Sequence, residues 1–158
     1  MEATDDVSVT EWRVNYSETD QMGVVYHACY LVWLDRARTE HLRRAGMTYA
    51  ELERRGIRLP VGELTIRYRQ SARYDDRILI RCWVEDLASR RIIFGYVVEN
   101  ADTGQVLATA ETSLMVVDAA FRWTRLPPDV AGRLGTGHLA LGPRRVPSAE
   151  PPVPSAEQ

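Results

Sequence analysis

Lysine is absent from this chain of 158 residues: all 20 basic residues are arginine. That absence excludes a Schiff-base lysine, a Walker-A phosphate loop and a Ser–Lys dyad together. Cysteine is scarce. Cys29 and Cys82 are too few for a disulfide framework or a cysteine-rich zinc site. No apolar run approaches the roughly 20 residues that span a bilayer. The acidic start, Met1-Glu2-Ala3-Thr4-Asp5-Asp6, lacks the basic-then-apolar pattern of a secretory leader. These features predict a cytoplasmic protein with no membrane span. A net charge of −2 leaves no basic footprint for nucleic acid. The chain also lacks a Gly-x-Ser-x-Gly elbow, a glycine-rich phosphate loop and a His-x-x-x-His zinc spacing.

What is present suits a single folded domain. The composition is 45% hydrophobic and 27% charged, ordinary for a globular protein. A chain of this length buries a real core but still gains from association. Val7 to Tyr16 reads as a strand, Val7 and Val9 followed by Trp12, Val14 and Tyr16 with a change of phase. Ser17 to Gly23 interrupts it with turn-forming residues. From about His27 the period is helical. Leu31, Leu34, Ala37 and Ala45, flanked by Tyr30, Leu42 and His41, form one apolar stripe, and Arg36, Glu40, Arg43 and Arg44 sit away from it. Gly46 ends this helix, and Thr48-Tyr49-Ala50-Glu51 is a capping box for a second, shorter one.

Strands follow, with alternation at Leu64–Tyr68, Ile78–Val84, Ile92–Val98 and Val106–Val116, separated by short turns that favour antiparallel neighbours. Pro127-Pro128-Asp129 opens a brief last helix. The expectation is an α+β domain over residues 7–135, an antiparallel sheet wrapped around a long central helix. Residues 142–158 repeat Val-Pro-Ser-Ala-Glu at 146–150 and 153–157. So many prolines and so few large apolar residues predict a disordered tail.

Chemistry concentrates in Tyr16-Ser17-Glu18-Thr19-Asp20-Gln21-Met22-Gly23-Val24-Val25-Tyr26-His27-Ala28-Cys29-Tyr30-Leu31-Val32-Trp33. A carboxylate, Asp20, falls in a strand-to-helix connection just ahead of the long helix. Unpaired N–H groups at a helix start carry partial positive charge and polarise a carbonyl placed against them. A carboxylate beside that carbonyl attacks it or activates a water. Gly23 lets the backbone turn sharply or approach a ligand. The competing structural reading makes Asp20 a turn or capping residue.

The run Asp20-x-x-Gly23-x-Val25-x-x-x-x-Tyr30, continued by Leu31-Val32-Trp33 and Arg36-Ala37-Arg38-Thr39-Glu40, resembles the 4-hydroxybenzoyl-CoA thioesterase family. The likeness is nearest to its bacterial Tol–Pal-cluster acyl-CoA thioesterases and extends loosely over residues 9 to about 135. The resemblance implies a hotdog fold and hydrolysis of acyl-CoA thioesters. It also implies a homodimer with a continuous sheet, often a homotetramer, with active sites between subunits. Asp20 then stands at the catalytic aspartate, and His27 at the position whose backbone amide holds the thioester carbonyl. No metal and no organic cofactor is implied.

Gly23 and Tyr30 within the motif, and Glu63 ahead of the Leu64–Tyr68 alternation, are candidates for binding the substrate. Arg90 and Arg91, side by side at a turn, are candidates for the phosphates of coenzyme A. His27 could instead act through its ring. A helix dipole would lower the pKa of Cys29, although a half-buried structural cysteine is the better reading. His41 on the apolar stripe reads as packed, and His138 has no evident partner. A hotdog hydratase or dehydratase pairing Asp20 with His27 is one rival, although the Asn and Pro of the hydratase motif are missing. A non-catalytic acyl-CoA-binding protein is the other, and release of thiol from an acyl-CoA separates all three. Deleting residues 143–158 should leave activity and melting temperature unchanged; a large fall in melting temperature would show that the tail docks.

Overall fold

The computed structural model describes residues 6–135. The predicted tail at 142–158 and His138 therefore lie outside the described residues. Within them the chain order is β1 (Ser8–Arg13), α1 (Cys29–Arg44), α2 (Tyr49–Arg54), β2 (Val61–Tyr68), β3 (Arg77–Ala88), β4 (Arg91–Asn100), β5 (Val106–Met115) and α3 (Pro128–Gly135). The strands form one sheet in the order β1-β3-β4-β5-β2. Every neighbouring pair is antiparallel, which leaves β1 and β2 as the two edges.

Alternate residues of β3 and β4 build the core. Ile78, Ile80, Cys82 and Val84, with Ile92, Phe94, Tyr96 and Val98, are buried together with Trp33, Leu34, Ala37 and Leu42 of α1. The sheet thus wraps the long helix, which is the hotdog arrangement. On the opposite face of the sheet Trp83 lies against Gly95, its partner in register. A Cβ on Gly95 would stand 2.5 Å from the indole. Among the described residues no helix is long and apolar enough to cross a membrane.

Three details of the sequence reading change. Along β1 the buried phase is Ser8, Trp12 and Val14, with Val9 42% exposed and Tyr16 beyond the strand. The strand therefore keeps one phase, and the apparent shift arose because a serine holds an inward position. On α1, Leu31 is exposed, whereas Trp33 and Arg38 are buried. Arg38 is tolerated there because Nε donates to Tyr49 Oη at 2.7 Å and one Nη to Asp35 at 2.6 Å. Finally, α1 begins at Cys29 rather than near His27.

His41 is 5% exposed and packs edge-on against Phe94. Its Nδ1 lies 2.8 Å from Ser8 Oγ, which donates to Cys82 O at 3.2 Å. With the single hydroxyl proton of Ser8 directed at that carbonyl, the ring donates from Nδ1. Burial pushes the His41 pKa below its ordinary 6.5, opposed by Asp6 and aided by Arg44. The folded state therefore holds a neutral ring, while the unfolded chain takes up a proton below about pH 6.5. Stability should be flat above that pH and fall as pH drops through 6.5 toward the depressed folded value, by at most about 1.4 kcal/mol per pH unit. Thermal melts between pH 8 and 5 should show this slope in the native chain and lose most of it in His41→Gln.

Candidate active site

The connection between β1 and α1 is tied down at nearly every residue. Val14 is buried and bonded at both backbone atoms to Asp75 and Asp76, which fixes the exit from β1. A single 3-10 turn, Tyr16–Glu18, follows. The chain then folds into a narrow hairpin. Thr19 bridges Val25, Asp20 N donates to Val24 O at 2.9 Å, and Tyr26 N donates to Glu18 O at 2.8 Å. Gly23 closes the tip with φ of +76°, a conformation costly for any residue with a side chain, and its N–H donates to Asp20 O at 3.0 Å. Nothing lies within 4 Å of a Cβ built there, so the backbone angle, and no tight contact within the protein, calls for glycine.

Asp20 is half-buried on the first arm of this hairpin. Its Oδ1 accepts the Met22 N–H at 2.8 Å, which orients the carboxylate. No protein donor among the described residues reaches Oδ2, so that oxygen has lone pairs available for a water or a carbonyl carbon. The turn reading and the catalytic reading are thus compatible, because they use different oxygens.

The second arm delivers the start of α1. Cys29 N donates to Tyr26 O at 2.9 Å, directing that carbonyl into the helix. In a planar trans peptide the N–H opposes the C=O, so the His27 N–H points outward from the helix start. Tyr68 Oη donates to His27 O at 2.7 Å, which turns the Ala28 N–H away from Tyr68. Neither the His27 nor the Ala28 N–H finds an acceptor among the described residues. Two amides without an internal acceptor thus lie at the positive end of a 16-residue helix, where a negatively charged oxygen would be favoured.

The other predicted residues divide. Tyr30 is 2% exposed, its ring between Trp33 and Tyr68 and its hydroxyl accepting the Ala72 N–H at 3.1 Å. Ala72 O also takes the Val25 N–H at 2.8 Å, so Tyr30 braces the corner that holds the hairpin. Cys29 is half-buried with Sγ toward Glu18 O, and burial with the nearby Glu18 charge raises its pKa, which suits a structural thiol. Glu63 is exposed beside a bulge in β2. Arg90 and Arg91 are exposed at the β3–β4 turn, with Arg91 3.5 Å from Asp86. They sit at the sheet end shared with Met115 and Val61, whereas Tyr68 and the hairpin occupy the other end. Counted along β4, Arg91 and Val98, which is level with Tyr68, are about 23 Å apart. One chain does not bring the arginines to Asp20. A concavity of about 290 Å3 on the face of the sheet away from α1, lined by Thr65, Trp83, Gly95 and Glu111 among others, does not include Asp20 or His27 either.

Sequence reasoning missed Glu18. Its Oε1 accepts Trp12 Nε1 at 3.0 Å and Asn15 N at 2.8 Å, and its Oε2 accepts Trp33 Nε1 at 2.6 Å. A signal existed: two tryptophans flank the motif, and a buried indole N–H needs an acceptor.

Comparison with known proteins identifies the family and the fold. The chain is 37% identical over 112 residues to a putative acyl-CoA thioesterase, YneP, of Bacillus subtilis, covering 71% of this chain and 80% of that one. It is 34% identical over 106 residues to the acyl-CoA thioester hydrolase YbgC of Escherichia coli, covering 67% and 78%. Among solved structures, the DHNA-CoA thioesterase of Staphylococcus aureus superposes with a TM-score of 0.80 at 31% identity, over 84% of this chain and 91% of that one. Residues 14–134 match the thioesterase-like superfamily, and the chain belongs to that family.

Proposed function

We propose that this chain hydrolyses acyl-CoA thioesters to the free acid and coenzyme A, with Asp20 as nucleophile or general base and the His27 N–H as oxyanion donor. The observation that carries the reading is the pairing of an oriented carboxylate having one unused oxygen with two amides without an internal acceptor at the start of α1. With the thioester oxygen against those amides, attack at the carbonyl carbon moves charge onto oxygen, where the helix start stabilises it. As general base, Asp20 takes a proton from water, the C–S bond breaks, and the proton passes to the departing thiolate. As nucleophile, it forms a mixed anhydride that water then opens. The names of the relatives support thioester hydrolysis, and the cytoplasmic location predicted from the sequence belongs to the same reading.

The site is composite in this reading. Edge strand β2 is the least buried of the sheet, with Val61 and Tyr68 each 45% exposed. Pairing two copies of β2 about a two-fold axis would satisfy both edges and extend the sheet. Antiparallel pairing sets the Val61 end of one copy beside the Tyr68 end of the other. Arg90, Arg91 and Glu63 of the partner subunit then approach Asp20 and His27, which a single chain cannot achieve. Exposed Met22, Tyr26 and Val32 around the hairpin supply further surface for that contact.

Asp20→Asn tests the chemistry. Asparagine keeps the oxygen that accepts from Met22 N but cannot attack or take a proton at neutral pH. The expected result is a kcat loss of about 10²–10⁴ with an unchanged melting temperature. A kcat within about threefold of native, under 1 kcal/mol, would leave Asp20 as a turn residue only. Subunit exchange tests the composite site. Asp20→Asn and Arg90→Ala/Arg91→Ala should each be poor at low acyl-CoA concentration. Mixing them should restore roughly a quarter of native sites in random dimers. No recovery after demonstrated exchange would place both groups in one subunit's site.

A further inference from the structure

Among the described residues, the arm that carries Asp20 is joined to α1 by few hydrogen bonds. Backbone bonds hold it to the second arm, through Thr19 with Val25 and Tyr26 N with Glu18 O. The second arm is anchored independently, by Val25 N to Ala72 O and by Tyr68 Oη to His27 O. From the first arm, the side chain that reaches the helix is Glu18, whose Oε2 accepts Trp33 Nε1 at 2.6 Å. The weaker contact of Cys29 Sγ with Glu18 O at 3.7 Å lies alongside. The Glu18 Oε1 bonds to Trp12 Nε1 and Asn15 N tie the same group to β1 and to the chain leaving it.

We propose that Glu18 is a positioning residue for hydrolysis. Its carboxylate clamps the Asp20 arm between Trp12 and Trp33 and so sets Asp20 at its working distance from the His27 N–H, without touching substrate. The role deepens the hydrolytic reading of Asp20 and depends on it. The chemistry requires a carboxylate, because three donors converge on the group and an acceptor-only side chain alone meets all three. In Glu18→Gln the amide oxygen can serve the two donors at the Oε1 position, but the NH2 then faces the Trp33 indole N–H. Two opposed donors separate, and the arm swings away from α1 by a fraction of its hydrogen-bond spacing. Misplacement on that scale affects the reacting geometry more than the binding of a long thioester.

The experiment compares Glu18→Gln, Trp33→Phe, the two combined, and Asp20→Asn, on one acyl-CoA that the native chain turns over. Glu18→Gln should lower kcat by about 10- to 100-fold while KM stays within about twofold and unfolding remains cooperative above the assay temperature. Trp33→Phe removes the indole N–H, so adding it to Glu18→Gln removes the opposed donor and should raise kcat several-fold above the single variant. A kcat loss that merely tracks the folded fraction, or a double variant no better than Glu18→Gln alone, overturns the positioning role. Unchanged kcat in Glu18→Gln beside an inactive Asp20→Asn also overturns it and leaves the hydrolytic reading standing. Full activity in Asp20→Asn removes that reading, and the role of Glu18 with it.

Discussion

A single carboxylate that is not itself reactive gathers the parts of this site. Glu18 accepts from an indole on β1, a backbone amide just after β1 and an indole on α1, and its carbonyl takes the Tyr26 N–H. Hydrogen bonds to a charged group are worth about 1.5–3 kcal/mol each, and an orphaned buried donor costs about 1–3 kcal/mol. Trp33 is 1% exposed, so its N–H has no recourse to water if Glu18 is lost. The first arm of the hairpin, and Asp20 on it, depend on that convergence. The Asp20 carboxylate itself accepts one hydrogen bond, from Met22 N, and its backbone bonds run only to Val24 and Gly23 within the hairpin.

The helix proposed to supply the oxyanion donors needs comparable fixing, because in that reading a carbonyl must rest against its start rather than its side. Polar groups accomplish this inside the core. Arg38 joins α1 to Tyr49 at the head of α2, and His41 joins it through Ser8 to the β1–β3 pair. Leucine at these positions would bury as much surface with no preferred rotation about the helix axis. Directional bonds one turn apart set that rotation, and with it the direction of the His27 and Ala28 amides. Arg36 adds a contact on the outer side, its guanidinium 4.3 Å from the Trp12 ring.

The order of elements, the antiparallel sheet and the buried phases of β3 and β4 were legible from period and turn residues, because apolar alternation there is unbroken. The reading failed where a polar residue faces inward. Ser8 hid the phase of β1, and Arg38 hid the true stripe of α1, displacing it toward Leu31, which is exposed. Periodicity treats polarity as exposure, and both residues break that equation by finding hydrogen bonds across elements far apart in the chain. The site divided likewise. The placement of Asp20, Gly23 and His27 on the hairpin and just ahead of α1 was legible because that geometry is local. Glu18 was not, because its role lies in partners 6 and 15 residues away and on different elements.

Edge strand β2 links these local facts to assembly. Its inward residues Leu64 and Ile66 are only partly covered, and its C-terminal residue Tyr68 is the one that orients the His27 peptide. A strand at once under-buried and tied to the proposed oxyanion donor would couple the completeness of the fold to the completeness of the site. In the proposed dimer, pairing that edge would cover Tyr68 and bring a second chain's arginines within reach of a nucleotide in the same event. A monomer would retain the carboxylate and the amides but present them at an open edge, in water. There, oxyanion stabilisation by backbone dipoles is weakest, because solvent screens them. Water-free electrostatics, more than any missing residue, is what a single chain of this fold lacks.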